Sequence, residues 1–320
     1  MPHKLRKDSL RAELSSVEGL LNEAQEIGDV VGVYQYKHRK TILEEEIGQI
    51  DRTIDKTASV ALFFGGKPVF GSRGILADFA CDALKEFQGL VSRIQAIEVL
   101  GELGSRGKIP DVSSSQLMIT ELARGSFGFI LDENVDQFPL VESNLQNTVD
   151  QVVNIIEKTA SESRVDFDEI LSVLDGRSLI SLRNLFSKLN KSKATMRVVE
   201  GDKDFWLDED AIERGKIRTE TTTIEDSTYE VEGVLVGFLP EHRKFEIRTD
   251  IEILYGTATH DAVEQFNLHI KQGTNMLNET WVFALDIRIV TPLNRPERKI
   301  YRLIKFITKD RDSKESFGDE

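Results

Sequence analysis

The sequence predicts an α+β fold: an N-terminal antiparallel helical hairpin (coiled coil), a central ββαββ module with covering helices, and a small C-terminal SH3-like β-barrel. Three observations carry that expectation. Apolar residues recur every three to four positions from Leu10 to Ile54, the period falls to two from Ser59, and a second run of short strands follows residue 193. The matching boundaries are 1–57 for the hairpin, 58–192 for the central domain, 193–309 for the barrel domain, and 310–320 for an acidic tail that lacks an apolar anchor and is expected to be disordered.

The hairpin rests on Leu10, Leu14, Val17, Leu21 and Ala24, which alternate four and three residues apart. After the turn signal "IGDVVG" the spacing resumes through Val33, Tyr36, Lys40, Leu43, Ile47, Ile50 and Ile54, with only Lys40 polar. Two helices expose more apolar surface than they bury against each other, so the seam is expected to pack on the body or on a second copy, with a homodimer preferred. From Ser59, "SVALFFGG" and "KPVFGS" across a glycine-rich turn predict a β-hairpin. A helix over 76–100 and a strand pair in "SQLMITELARGSFGFILDE", turning near "ARGS", complete the module. Three helices over 140–159, 167–174 and 178–189 then present Leu145, Val149, Val152 and Ile156 to one side of the sheet. In the last third, strands are expected in "TYEVEGVLVGFLPEHRKFEIRTDIEILYGTAT", with turns at "PEHR" and near Asp250, then a short helix "HDAVEQFNLHI" and two more strands, "ETWVFALDIRIV" and "KIYRLIKFI".

Composition bounds the function. At 320 residues the chain exceeds one average domain of roughly 150 residues. No apolar run approaches the roughly 20 residues of a membrane span, and the basic N-terminus has no apolar core of a secretory signal, so a cytoplasmic protein without membrane attachment is expected. One cysteine, Cys81, excludes an intramolecular disulfide and a cysteine-rich zinc site, and its neighbours Ala80, Leu84 and Phe87 predict that it packs in a core. A net charge of −14 opposes whole-surface binding to phosphates, so nucleic acid requires a local basic patch.

Two such patches are candidates. Gly71, Ser72, Arg73 and Gly74 precede a helix whose amide end and dipole hold an anion, with Arg106 in "GSRG" and Arg124 in "ARGSFGFIL" as converging cations. The run lacks the lysine of a Walker loop and the spacing of a dinucleotide fingerprint, and the glycines equally serve turns. In the barrel segment, Arg243, Lys244 and Arg248, then Arg298, Lys299 and Arg302, are interleaved with Phe245, Trp281 and Tyr301, the composition of a single-strand binding surface. His242, Arg295 and Lys305 extend these clusters, while Glu241, Glu246 and Glu252 dilute them.

No catalytic set is complete. Ser126 lacks a nucleophile elbow, and the histidines His3, His38, His242, His260 and His269 show no ligand spacing, so neither a metal nor a cofactor is expected. Asp286 with Glu297 and Lys299 fits a metal-dependent nuclease only loosely, because the latter two fall at a proline-bracketed turn.

The segments "ALFFGGKPVFGSRGI", "ARGSFGFIL" and "GVLVGFLPEHRKFEI" after a helical hairpin resemble those of an uncharacterised family of bacterial proteins, a similarity covering most of the chain. The resemblance implies a bacterial, cytosolic origin and a shared architecture, and carries over no catalytic residue. "ARGSFGF" is also similar to sheet domains that serve as accessory or sensing modules in bacterial defence and signalling proteins. The resulting expectation is a non-catalytic interaction or sensor protein that self-associates through its hairpin and binds a protein partner or anionic ligand. The competing expectation is a nucleic-acid-binding component of a bacterial anti-phage defence system, with metal-dependent nuclease activity as an extension.

Overall fold

In the computed structural model of the chain, residues 1–50, 56–100, 112–123, 127–134, 142–171, 174–292 and 296–307 are described. They form a mixed α+β protein with N-terminal helices and a five-stranded closed barrel in the C-terminal half. The chain divides into two compact units, the second taking Leu171–Leu179 and the residues from Glu220 on.

The first unit begins with α1 (His3–Ile27) and α2 (Val30–Ile50), joined where Gly28 takes the left-handed conformation, φ 75°, and closes α1. Val17, Leu21, Ala24, Leu43 and Ile50 are buried as their spacing predicts. Lys40, the polar seam residue, is accommodated by Glu18 at 2.7 Å, whose hydrogen bond and charge raise the lysine above its ordinary range.

β1 (Ser59–Gly66) is the middle of a five-stranded antiparallel sheet completed by β2 (Leu117–Ala123), β3 (Phe127–Glu133), β4 (Ala194–Glu200) and β5 (Lys203–Leu207), in the order β2-β3-β1-β4-β5. The expected β-hairpin at 59–72 does not form. Both edges of β1 are taken, by β3 and by β4, so "KPVFGS" has no ladder to join and folds into turns with one bridge, Val69 to Ile75. Gly66, φ 82°, makes the exit possible, since a Cβ there would stand 2.3 Å from the Lys193 carbonyl oxygen. The module is therefore not ββαββ. The boundary at 192/193 also moves, because β4 and β5, expected in the barrel domain, extend this sheet through a turn at Gly201 and Asp202.

α3 (Ala77–Leu100) supplies Phe79, which meets Phe64 edge-on at 5.4 Å, and α4 (Asn144–Ala160) buries Leu145, Val149, Val152 and Ile156 beside it. α5 (Arg164–Ile170), α6 (Gly176–Lys191) and α7 (Glu209–Glu220) follow. Ala61, Phe63, Ile130 and Val199 line the opposite face of the sheet with Leu5 of α1. Cys81 is exposed, against expectation: Ala80, Ala83, Phe87 and Leu90 form the buried stripe of α3, and Cys81 lies about 100° round the helix from Ala80.

The second unit contains β6 (Thr222–Leu239), β7 (Lys244–Arg248), β8 (Ile253–Ala258), α8 (His260–Lys271), β9 (Thr280–Pro292) and β10 (Arg298–Ile307). The strands close in the order β10-β8-β7-β6-β9, with β8 and β10 parallel and all other neighbours antiparallel. Leu235, Phe245, Ile247, Leu254, Phe283, Leu285 and Leu303 fill the interior. Thr259 joins helix to barrel: its Oγ1 accepts from the Ala262 amide at 3.2 Å, capping α8, and donates to the Ile304 carbonyl at 2.9 Å. Thr259→Ala is expected to lower barrel stability by about 1 kcal/mol in urea unfolding, and an unchanged midpoint would show that the cap is idle.

Candidate nucleic-acid interface

Alternation along β7 and β8 sorts their residues between core and surface. Phe245, Ile247, Leu254 and Ala258 are buried, and Lys244, Glu246, Arg248, Ile253, Tyr255 and Thr257 face outward. Register then assembles these into rows. Lys244 and Arg302 are both partners of Thr257, from β7 and β10, Glu246 lies opposite Tyr255, and Arg248 opposite Ile253. Lys244 and Arg302 are thereby set about 10 Å apart across the face, two strand spacings. Between the basic rows stands Tyr255, 75% exposed, with Ile251 at 93% on the adjoining turn. That turn is held by Thr249, whose Oγ1 accepts from the Glu252 amide at 3.1 Å and donates to the Glu252 carbonyl at 2.8 Å.

Of the six basic residues singled out in the barrel, Lys244, Arg248 and Arg302 share this face. Arg243 sits in the β6–β7 turn with φ 48°, and Arg298 and Lys299 open β10. Arg295 lies outside the described residues. The aromatics named from the sequence do not serve. Phe245 is buried, and Trp281 and Tyr301 pack half-buried against the barrel core, where burial raises the Tyr301 hydroxyl above its ordinary range. Tyr229, beside them, is pushed up to about 12 by burial. The exposed aromatic is Tyr255, which the sequence does not single out, since Gly256 interrupts the alternation and conceals which face its neighbours take. The signal available was Leu254 and Ala258 on one parity against Ile253, Tyr255 and Thr257 on the other.

The glycine loop is built differently from expectation. Gly71 adopts φ 58°, the Phe70 amide donates to the Gly74 carbonyl at 2.8 Å, and the Arg73 amide donates to the Phe70 carbonyl at 3.1 Å. α3 starts only at Ala77, so these amides are used inside a tight turn and are not offered at a helix end. Ser72 and Arg73 are exposed, and Arg106 and Arg124 lie outside the described residues.

Asp286 accepts from the Thr228 hydroxyl at 2.5 Å and is the β9 partner of Arg302. Glu297 precedes β10 and lies 3.9 Å from Lys299, five residues before Arg302 and so about 16 Å along the strand from Asp286. One metal ion does not span that gap. Among the described residues, His260, Asp261 and Glu264 bring ligand atoms within 4.8 Å of one another, a grouping the sequence reading did not find. All three are exposed at the N-terminal end of α8, where the helix dipole opposes a cation.

No helix among the described residues is long and apolar enough to cross a membrane. No protein-family model, curated protein or solved structure matches the chain.

Proposed function

We propose that the chain is a binding protein whose barrel takes single-stranded nucleic acid on the β7–β8–β10 face. Tyr255 carries the reading: an aromatic ring three-quarters exposed in the middle of a strand, with Lys244 and Arg302 on one side and Arg248 on the other, is a stacking platform flanked by phosphate contacts. The barrel type supports it. Numbered within the barrel, the strands run 1-2-3-5-4 with strands 3 and 5 parallel and a helix between strands 3 and 4, which we read as an OB-type barrel in place of the SH3-like one expected. Barrels of that type bind oligonucleotides on their second and third strands, which here are β7 and β8. The chain's negative charge lies mostly elsewhere, since residues 222–307 hold 10 basic against 13 acidic side chains while the whole chain is −14.

Fluorescence anisotropy with labelled oligo-dT and oligo-U, over a salt series, tests this. Binding is expected to weaken with salt, and Tyr255→Ala to cost at least about 1 kcal/mol, roughly fivefold in Kd. Lys244→Ala with Arg302→Ala should lower the salt slope by about 1.4, two single-strand phosphate contacts, and Glu246→Lys should tighten binding. Absence of binding at low salt, or binding indifferent to Tyr255→Ala, would refute the reading.

A further inference from the structure

The two edges of the five-stranded sheet are built differently. β5 is short, and its Lys203 and Asp204 are ion-paired, to Asp150 and to Arg197 and Lys4, which is the charged kind of edge that discourages pairing with another chain. β2 is seven residues long, contains no lysine or proline, and has Glu121 as its one charge, while Met118, Ile119 and Leu122 are 47%, 55% and 60% exposed. The β2–β3 register sorts these side chains. Across the bulge between Ile119 and Glu121, Leu117, Ile119 and Leu122 stand opposite Glu133, Leu131 and Phe129, so all three lie on the face where Phe129 meets Phe64. The buried row of Leu131 and Phe129 thus runs on to an uncovered Ile119 and Leu122. The backbone of this edge is only partly provided for. The Leu117 amide donates to Gln88 Oε1 at 3.1 Å and Gln88 Nε2 donates to the Ser115 carbonyl at 2.7 Å, so one side-chain amide stands where a neighbouring strand would. Residues two apart in a strand present their backbone to the same side. The Ile119 amide and carbonyl therefore also point outward, where no hydrogen bond meets them among the described residues.

We propose that β2 of a second copy of this chain fills the edge, antiparallel about a twofold axis that passes Ile119 normal to the sheet, so that the two sheets become one. An open strand edge asks for another strand, since its row of amides and carbonyls is met in full only by a ladder. The strand is complementary to itself in that register, because the axis maps each face onto itself. Ile119 meets its own copy, Leu117 stands opposite Leu122 of the second copy, and Met118 stands opposite its Glu121, which keeps the two Glu121 carboxylates apart. A cavity of about 360 Å³ lined by Gln88, Leu117, Met118 and Leu145 stands at the end of the strand where the incoming Leu122 arrives. Pairing β2 with β5 of another copy would run head to tail into fibres, whereas β2 on β2 is isologous and closes as a dimer. This inference is independent of the barrel's ligand.

Mass read by light scattering and sedimentation tests it, together with cross-linking. The unaltered chain is expected to be dimeric at both about 0.1 M and about 1 M salt, because apolar contacts and backbone hydrogen bonds hold the contact and ion pairs do not. Ile119→Lys places two ammonium groups at the axis and should give a monomer with unaltered far-ultraviolet circular dichroism, since the position is exposed. Val31→Lys, at the exposed turn of the helical hairpin, should leave the dimer intact. In a Cys81→Ser background, Ile119→Cys should form an intermolecular disulfide on mild oxidation, its Cα lying about 5.5 Å from its copy. Leu122→Cys, about 14 Å from its copy, should not. The cysteine pair decides the matter even where Ile119→Lys fails to fold. A monomeric unaltered chain, a dimer that survives Ile119→Lys or is lost in Val31→Lys, or cross-linking at position 122 in place of 119 would overturn the proposal.

Discussion

Gly256→Ala is expected to open the barrel, at a cost of about 3 kcal/mol or more, the upper end of what overpacking does in a closed core. Gly256 lies on β8 opposite Tyr301 of β10, in the one parallel pair of the barrel. A Cβ at Gly256 would stand 2.0 Å from the Tyr301 carbonyl oxygen and 2.8 Å from its carbon. These are backbone atoms, so no rotamer change relieves the clash and the two strands must separate. Their separation breaks the ring β10-β8-β7-β6-β9 and exposes Leu254 and Leu303 to water. Gly237 is the internal control, because a Cβ there meets only the Glu246 Cβ, at 3.9 Å, an ordinary contact. Urea unfolding followed by Trp281 fluorescence, in a Trp206→Phe background, should show Gly237→Ala near the parent and Gly256→Ala far below it. Equal midpoints for the two variants would mean that the parallel pair does not hold the barrel closed. The same substitution should abolish oligonucleotide binding, since Arg302 reaches the face only through that pairing.

That dependence also explains what the sequence could and could not reveal. Period-two patterns are local, so the strand runs of the barrel and the short helix between them were legible, as were the buried seams of α1, α2 and α4. Strand order is not local. Nothing in "KPVFGS" says that both edges of β1 are already occupied by β3 and by β4, the latter about 135 residues later in sequence. The same blindness placed β4 and β5 with the barrel, although "VVEGDKDFW" carries a two-residue turn between its strands. The interface was half legible: Lys244, Arg248 and Arg302 are basic wherever they lie, but their meeting on one face needs the β8–β10 register, and Tyr255 shows its side only once Gly256 is seen to be a close-approach glycine. For the glycine loop, composition suggests an anion cradle, whereas the Phe70 and Arg73 amides donate to the Gly74 and Phe70 carbonyls inside the turn.

Glu200 is expected to make the sheet unit less stable as pH rises from about 4.5 to about 7, the interval between its ordinary value and its value in the fold. It ends β4, is 2% exposed, and accepts from the Gln146 side-chain amide at 2.9 Å. Burial, and next the negative charge of Asp150, push its carboxyl up to about 7. Asp150 is itself held 2.5 Å from the Lys203 ammonium. Because the folded value lies above the unfolded one, the fold binds the proton more tightly than the unfolded chain does. The protonated form is therefore accommodated below the ordinary carboxylate range, and stability is lost as pH rises through about 7, by about 3 kcal/mol across the interval. Glu200→Gln imitates the protonated acid at every pH: its carbonyl still accepts from Gln146 and its amide donates toward Asp150. Urea unfolding at pH 4.5 and pH 8 should find the variant close to the parent at the lower pH and more stable at the higher. Asp150→Asn should make the loss smaller and end it at a lower pH, since the negative charge that adds to burial in raising the Glu200 carboxyl is removed. A gap between Glu200→Gln and parent that stays constant with pH would show that Glu200 does not titrate in this interval, and a variant weaker at both values would show that the carboxylate is needed in its charged form.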